Sequence, residues 1–183
     1  MIDPKLVVTQ VKQGNYPSDW DIYRGEGNYG CAIACWIGAV GIGLFCVAVW
    51  ASSGISPGIY FLLGFILCVG MALVYTRKAA STDQSVLAIL PIEVVQYDAH
   101  DPENIGWLYY PNIDRIELAQ ETRIEGFDGD INSRTYYWLD IYCGDGTYLK
   151  WWINSCFGDT ASIGKKIIAA YNYHWRQNSF FHL

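Results

Sequence analysis

The chain has 183 residues, and its 12 Lys and Arg are outweighed by 18 Asp and Glu, a formal charge of −6. Beyond Thr76, nine Lys/Arg stand against fourteen Asp/Glu, a net −5, which argues against nucleic acid as a partner and against docking on an anionic lipid surface. Six Cys, with no CxxC and no regular spacing, argue against a disulfide framework or a zinc site, and read as small buried or membrane-facing hydrophobes.

Residues 1–27 are mixed in character. The β-branched run Lys5-Leu-Val-Val-Thr-Gln-Val11 predicts a short strand. Residues 13–27, with Gly14, Pro17, Gly25 and Gly27, read as loop, and Trp20 and Tyr23 as aromatics for a membrane interface. The late start of the apolar run, and Asp19, Asp21 and Glu26 ahead of it, argue against a cleavable signal peptide.

Between Glu26 and Arg77 there is neither a charged residue nor a His. Crossing a hydrocarbon layer of ~30 Å takes about 20 apolar residues as a helix. Residues 28–76 are therefore predicted to be a two-helix transmembrane hairpin, Cys31 to Ala51 and Gly58 to Thr76, with residues 52–58 as the turn. Tyr29 and Tyr75 fall at one interface, Trp50 and Tyr60 at the other. The flanking cations Arg24, Arg77 and Lys78, set against an uncharged turn, place both termini on the cytoplasmic side of a cytoplasmic (inner) membrane. Small residues recur at helical spacing: Ala34 with Gly38, Ala39 with Gly43, and Gly64, Cys68 and Ala72. They suit packing of the two spans on each other, or on another membrane protein. No ionisable side chain lies in either span, which argues against transport.

After a linker over 78–84, short strands are predicted at Val86–Leu90 and Ile92–Tyr97, broken by Pro91, then at Trp107–Tyr110, Ile113–Ala119 and, more weakly, Arg123–Phe127. Residues 98–104 read as a polar loop and 128–133 as a turn. Thr135–Cys143 and Thr147–Ile153 flank Gly144-Asp145-Gly146, the pattern of a hairpin with a three-residue loop. That register sets Ile141 opposite Leu149, Leu139 opposite Trp151 and Tyr137 opposite Ile153, and pairs Asp140 with Lys150 on the other side. Asp159 or Thr160 then caps a helix to Arg176, with Ile163, Ile167, Ala170, Tyr171 and His174 in one stripe. A soluble domain is thus predicted over 79–183.

Chemistry-bearing motifs are scarce. Asp128-x-Asp130-x-Asn132 starts like a calcium loop, but Ser133 and Leu139 replace its turn Gly and bidentate Glu. His100 between Asp98 and Asp101 has no nucleophile with a motif beside it, and His174 falls on the helix stripe. Cys31 and Cys35 begin a span, where lipidation competes with plain membrane-facing Cys. No phosphate loop, dinucleotide loop or HExxH is present. The chain is expected to be no enzyme and to carry no cofactor or metal. One feature stands out in the last hairpin. If its inner face is core, the opposite face shows Tyr136, Trp138, Tyr142, Tyr148 and Trp152 around Asp140 and Lys150, where a solvated sheet would alternate to polar residues. Cover by residues 1–27 or by a loop is one reading, and an interaction face is the other.

Tyr110-Pro-Asn-Ile113-Asp-Arg-Ile116 resembles a motif of bacterial pleckstrin-homology-like (PH-like) domains, in which an aromatic or apolar pair precedes Ile-x-x-Ile/Val at the start of a strand. The Gly144-Asp145-Gly146 hairpin and the final helix complete the order. That resemblance, over residues 80–177, implies a bent antiparallel sheet capped by the C-terminal helix, joined to membrane hairpins. It implies an interaction, scaffold or assembly module, with a membrane protein or a second copy as partner; the alternative is a ligand- or lipid-sensing domain. In layout alone the chain is also similar to the photosystem I assembly factor of chloroplasts and cyanobacteria, which has two early spans and a soluble part.

Overall fold

A computed structural model describes residues 2–53, 59–127 and 130–179. It divides into two units, residues 26–83 and residues 1–25 with 84–183.

The first unit is a pair of helices, Gly30–Ser53 and Ile59–Thr82. Both are long and apolar enough to cross a membrane, and with 11% and 6% of their apolar windows buried they are not the core helices of a soluble fold. Ala39 and Ala72 are buried in the seam between them, as small residues that let helix backbones approach. Trp36 Nε1 donates to Thr76 Oγ1 across that seam at 3.3 Å, and the Phe45 and Phe61 rings meet at a tilt of 38°, centroids 5.3 Å apart. Ala34 points away from the seam. The second helix runs on through the stretch read as a linker, since Arg77, Lys78, Ala79 and Ala80 are good helix formers. At its end, Gly27 N–H and Tyr29 O–H each donate at 2.6 Å to the carboxylate of Asp83. The turn predicted at 52–58 starts later than expected, because Ser52 and Ser53 still belong to the first helix; residues 54–58 lie outside the described residues, as does the Tyr60 side chain.

The second unit departs from the sequence expectation at its start. Lys5–Val11 is not a strand. It belongs to α1, Pro4–Gln13, which opens with Pro4 and an Asp3 cap accepting Lys5 N–H at 2.9 Å, and closes on left-handed Gly14. Val7, Val8 and Val11 form its buried face; tertiary burial and good caps outweigh the modest helix penalty of β-branched residues. The stretch read as loop contains β1, Asp21–Arg24, and Trp20 and Tyr23 pack into the domain rather than standing at a membrane interface.

β1 pairs with β2 (Val86–Ile89), β2 with β3 (Glu93–Tyr97) and β3 with β4 (Ile105–Tyr109), an antiparallel four-stranded meander. The second unit therefore includes residues ahead of 79, because its first strand precedes the two long apolar helices in the chain. The uninterrupted apolar run of β2 now has a cause. Leu87 and Ile89 face one core with Val94 and Leu108, while Val86 and Ala88 face a second core with Val95, Trp20 and the three valines of α1. A strand covered on both faces has no polar side to show.

β5 (Ile113–Phe127), β6 (Asp130–Cys143) and β7 (Tyr148–Trp152) form a second antiparallel sheet. The two predicted segments 113–119 and 123–127 are one strand. The calcium-loop-like stretch falls where β5 turns into β6; Asp128 and Gly129 lie outside the described residues, and from Asp130 onward the backbone is strand. α4, Thr160–Ser179, is capped by Asp159, whose carboxylate accepts Ala161 N–H at 3.0 Å. It lays Ile163, Ile167 and Tyr171 into the core between the sheets. A Cβ on Gly164 would come within 2.5 Å of the Leu118 methyl, so a larger residue there would force Leu118 to move from its place between α4 and β5. Tyr110, Ile113 and Ile116 are buried in this same core.

Candidate functional site: the outer face of the second sheet

Three strands and one turn position this face. Gly146, with φ of +84°, takes the left-handed position of the three-residue loop, and that turn sets the register. Ile141 stands opposite Leu149, Leu139 opposite Trp151 and Asp140 opposite Lys150, as the sequence predicts. β7 ends at Trp152, so Tyr137 and Ile153 are not a ladder pair. On the inward side Leu139 and Ile141 are fully buried and Ile153 nearly so, whereas Leu149 remains 45% exposed.

On the outward side Tyr142 stands opposite Tyr148 and Trp138 opposite Trp152, with ring centroids 5.4 and 5.0 Å apart. Tyr136 lies further along β6, half-buried. Tyr148 and Trp152 are 52% and 45% exposed. Residues 1–25 do not cover this face; α1 and β1 pack on the first sheet.

The rings are not left bare, however. Lys150 Nζ sits 3.6 Å from the Trp138 centroid and 4.5 Å from that of Trp152. Arg115 stacks over Tyr142 at 4.1 Å and Arg123 over Tyr136 at 5.6 Å. The expected Asp140–Lys150 pair shares a row, but each group points elsewhere. Asp140 Oδ1 accepts Trp138 Nε1–H at 2.9 Å and Tyr148 O–H at 2.6 Å, while Lys150 turns to the ring faces. An exposed ammonium over indole gains about 0.5–1 kcal/mol, comparable with an exposed ion pair. The hydrogen bond to Asp140 raises the Tyr148 phenol above its usual range. The Arg123 guanidinium, bonded to both Glu121 oxygens at 3.0 Å, lowers the Glu121 carboxyl.

The five aromatics picked out by alternation are thus brought together as rows on one side of one sheet. Sequence reasoning missed the β5 contribution. Arg115, Glu117, Glu121 and Arg123 share the aromatic face because β5 runs on beside β6, and their i, i+2 spacing was the available signal.

The other singled-out residues are not brought to this face. His100 lies in the loop after β3, its N–H donating to Asp98 at 2.9 Å. The Asp98 carboxylate also accepts from Asn154 at 3.0 Å, which ties that loop to the second sheet. His174 packs beside Tyr110 and Trp175. Cys31, Cys35, Cys46, Cys68, Cys143 and Cys156 are all free thiols, and burial pushes Cys156 up to about 11. Among the described residues no group of three His, Cys, Asp or Glu is placed to hold a metal ion. No protein-family model, curated protein or solved structure matches this chain.

Proposed function

We propose that this chain is a non-enzymatic, two-pass integral membrane protein whose extramembrane part is a PH-like domain serving as an interaction or scaffold module. Support for the fold is the order of four antiparallel strands, then three, then a helix packed on the second sheet, together with the burial of Tyr110, Ile113 and Ile116. The domain differs from the expected layout in two respects: a helix, α1, precedes its first strand, and the two long apolar helices are inserted between its first and second strands.

The observation that carries the interaction reading is the outer face of β5–β6–β7, where Tyr136, Trp138, Tyr142, Tyr148 and Trp152 stand in ordered rows, Tyr148 and Trp152 about half exposed, with only cationic side chains laid over them among the described residues. Aromatics and Arg are enriched where proteins meet partners. The partner is a membrane protein or a second copy of the chain, held nearby by the spans. Both termini lie on the cytoplasmic side, by the placement of Arg24, Arg77 and Lys78.

Two experiments test this. Full-length protein carrying Trp138→Ser with Trp152→Ser is purified from detergent-solubilised membranes beside wild type. A stoichiometric partner, or the chain's own dimer, that is present with wild type is lost from the variant; equal recovery from both removes the face as the site. Reporter fusions in the turn at residue 55 and at the C-terminus test topology, and activity of an exported reporter at the C-terminus would reverse it.

A further inference from the structure

The outer face of the second sheet already holds a cation in a defined seat. The Trp138 and Trp152 rings are 5.0 Å apart and inclined by 46°, an open V rather than a closed stack. The Lys150 ammonium occupies it, 3.6 and 4.5 Å from the two centroids. One wall of the seat is hydrogen-bonded in place, since Asp140 Oδ1 accepts from both Trp138 Nε1–H and the Tyr148 hydroxyl. The Trp138 ring and a carboxylate are therefore fixed beside the cleft independently of any ligand.

Two indole faces with an adjacent carboxylate attract cations and repel anions, and such faces are the recognised seat of quaternary ammonium groups. We infer that the Trp138–Trp152 cleft is a binding site for a small quaternary ammonium group, a trimethylammonium of the choline or betaine type, and that Lys150 is its built-in competitor. A lysine ammonium is a compact, strongly hydrated charge on a flexible stem. It leaves the cleft for water readily, because it is exposed at the surface of β7. A trimethylammonium has no N–H to hydrate and loses less by entering between the rings. Asp140 shares the row with Lys150, so a carboxylate lies in the same row as the cation seat, while Glu121 is taken by Arg123; the selection of a cation rests on the two indole faces. This inference rests on the reading of that face as the interaction surface, and adds the chemical class of the ligand.

The test uses full-length protein in a non-ionic maltoside detergent, titrated with choline chloride against a sodium chloride control, with tryptophan fluorescence as the readout. Wild type is expected to show a weak saturable change. Lys150→Ala, which empties the cleft, is expected to bind at least tenfold more tightly, and Trp152→Ser in that background to abolish the change. Lys150→Arg, which keeps a cation in place, is expected to respond like wild type, which separates displacement from misfolding. Repeating the titration in phosphatidylcholine and in phosphatidylethanolamine nanodiscs identifies the source of the group. Saturation before any choline is added, in phosphatidylcholine alone, assigns a lipid headgroup; equal titration in both assigns a free solute. If Lys150→Ala shows no change beyond sodium chloride, or a change that survives Trp152→Ser, the inference is overturned. If the partner is lost from the double Trp variant while choline fails to bind, the interaction face stands and the cation site falls.

Discussion

The two sheets of the domain face the same problem and solve it differently. Each turns one side to the shared core under α4 and has a second side rich in large apolar residues. On the first sheet that second side is sealed by α1, whose Val7 and Val11 are fully buried against Val86, Ala88 and Val95. On the second sheet no helix among the described residues covers the outer side. Its rings are instead interleaved with Lys150, Arg115 and Arg123, and Asp140 takes the indole N–H and the phenol O–H. Aromatic residues tolerate this because they offer a polar edge and a cation-attracting face, which valine does not. The central strands β2 and β6 show the difference: β2 is aliphatic on both sides where α1 covers it, whereas β6 is aromatic with interspersed charge on its outer side. Towards β4 the covered side uses the same device, with Trp107 Nε1–H donating to buried Glu93 at 3.0 Å and Lys12 over Tyr97.

The comparison breaks most sharply if α1 and β1 are removed. A fragment of residues 84–183 leaves β2 an unpaired edge and one side of the first sheet bare. Loss of three buried valines alone removes roughly 5 kcal/mol, comparable with the whole stability of a small domain. That fragment is expected to show no cooperative melt. A chain joining Gly25 directly to Gln84 through a short Gly-Ser turn is expected to fold, because Gly25 N–H already bonds Ser85 O at 2.9 Å. Thermal denaturation followed by circular dichroism distinguishes the two, and a cooperative melt for 84–183 alone would show that α1 is dispensable.

Next in size is Ile167→Asp in that joined protein. Ile167 is fully buried between α4 and both sheets, so an unpaired carboxylate there is expected to lower stability by about 4 kcal/mol or more, read as loss of the unfolding transition in urea.

A smaller effect is expected on the other side of the second sheet. Trp138→Ser with Trp152→Ser removes rings that touch Lys150 and each other rather than the core, and is expected to lower stability by about 1–2 kcal/mol while leaving the domain folded. Global unfolding would mean that the aromatic side is structural after all and would erase the contrast with α1.

The smallest effect is spectroscopic. Tyr148 is raised by its hydrogen bond to Asp140, so the stabilisation it carries is present below the ordinary tyrosine range and is lost as pH rises through the folded value. Burial also raises Tyr110 and Tyr171, so in an ultraviolet titration Tyr148 should be one of several late phenols, and Asp140→Asn should bring one of them forward while leaving the buried ones in place. An unchanged profile would detach Asp140 from the ring network.

Much of this was legible in the chain itself. The uncharged run from 27 to 76 determined two long apolar helices, since neither charge nor His interrupts it. Glycine at 146 and the alternation on either side determined the register of the last hairpin, and with it which aromatics share a side. Asp159 and the stripe of Ile163, Ile167 and Tyr171 determined the final helix. These are local or short-range constraints, carried by residues close to one another in sequence. Other features were decided only by the tertiary structure. Lys5–Val11 has the residues of a strand, and it is a helix because two capping residues and an apolar sheet surface favour that form more than β-branching opposes it. β1 pairs with β2 across 61 intervening residues, from Arg24 to Val86, and no local pattern announces a strand whose partner lies beyond two long apolar helices. Asp140 and Lys150 were assigned to the same row correctly, but which groups they would bind depended on the rings that the register placed beside them.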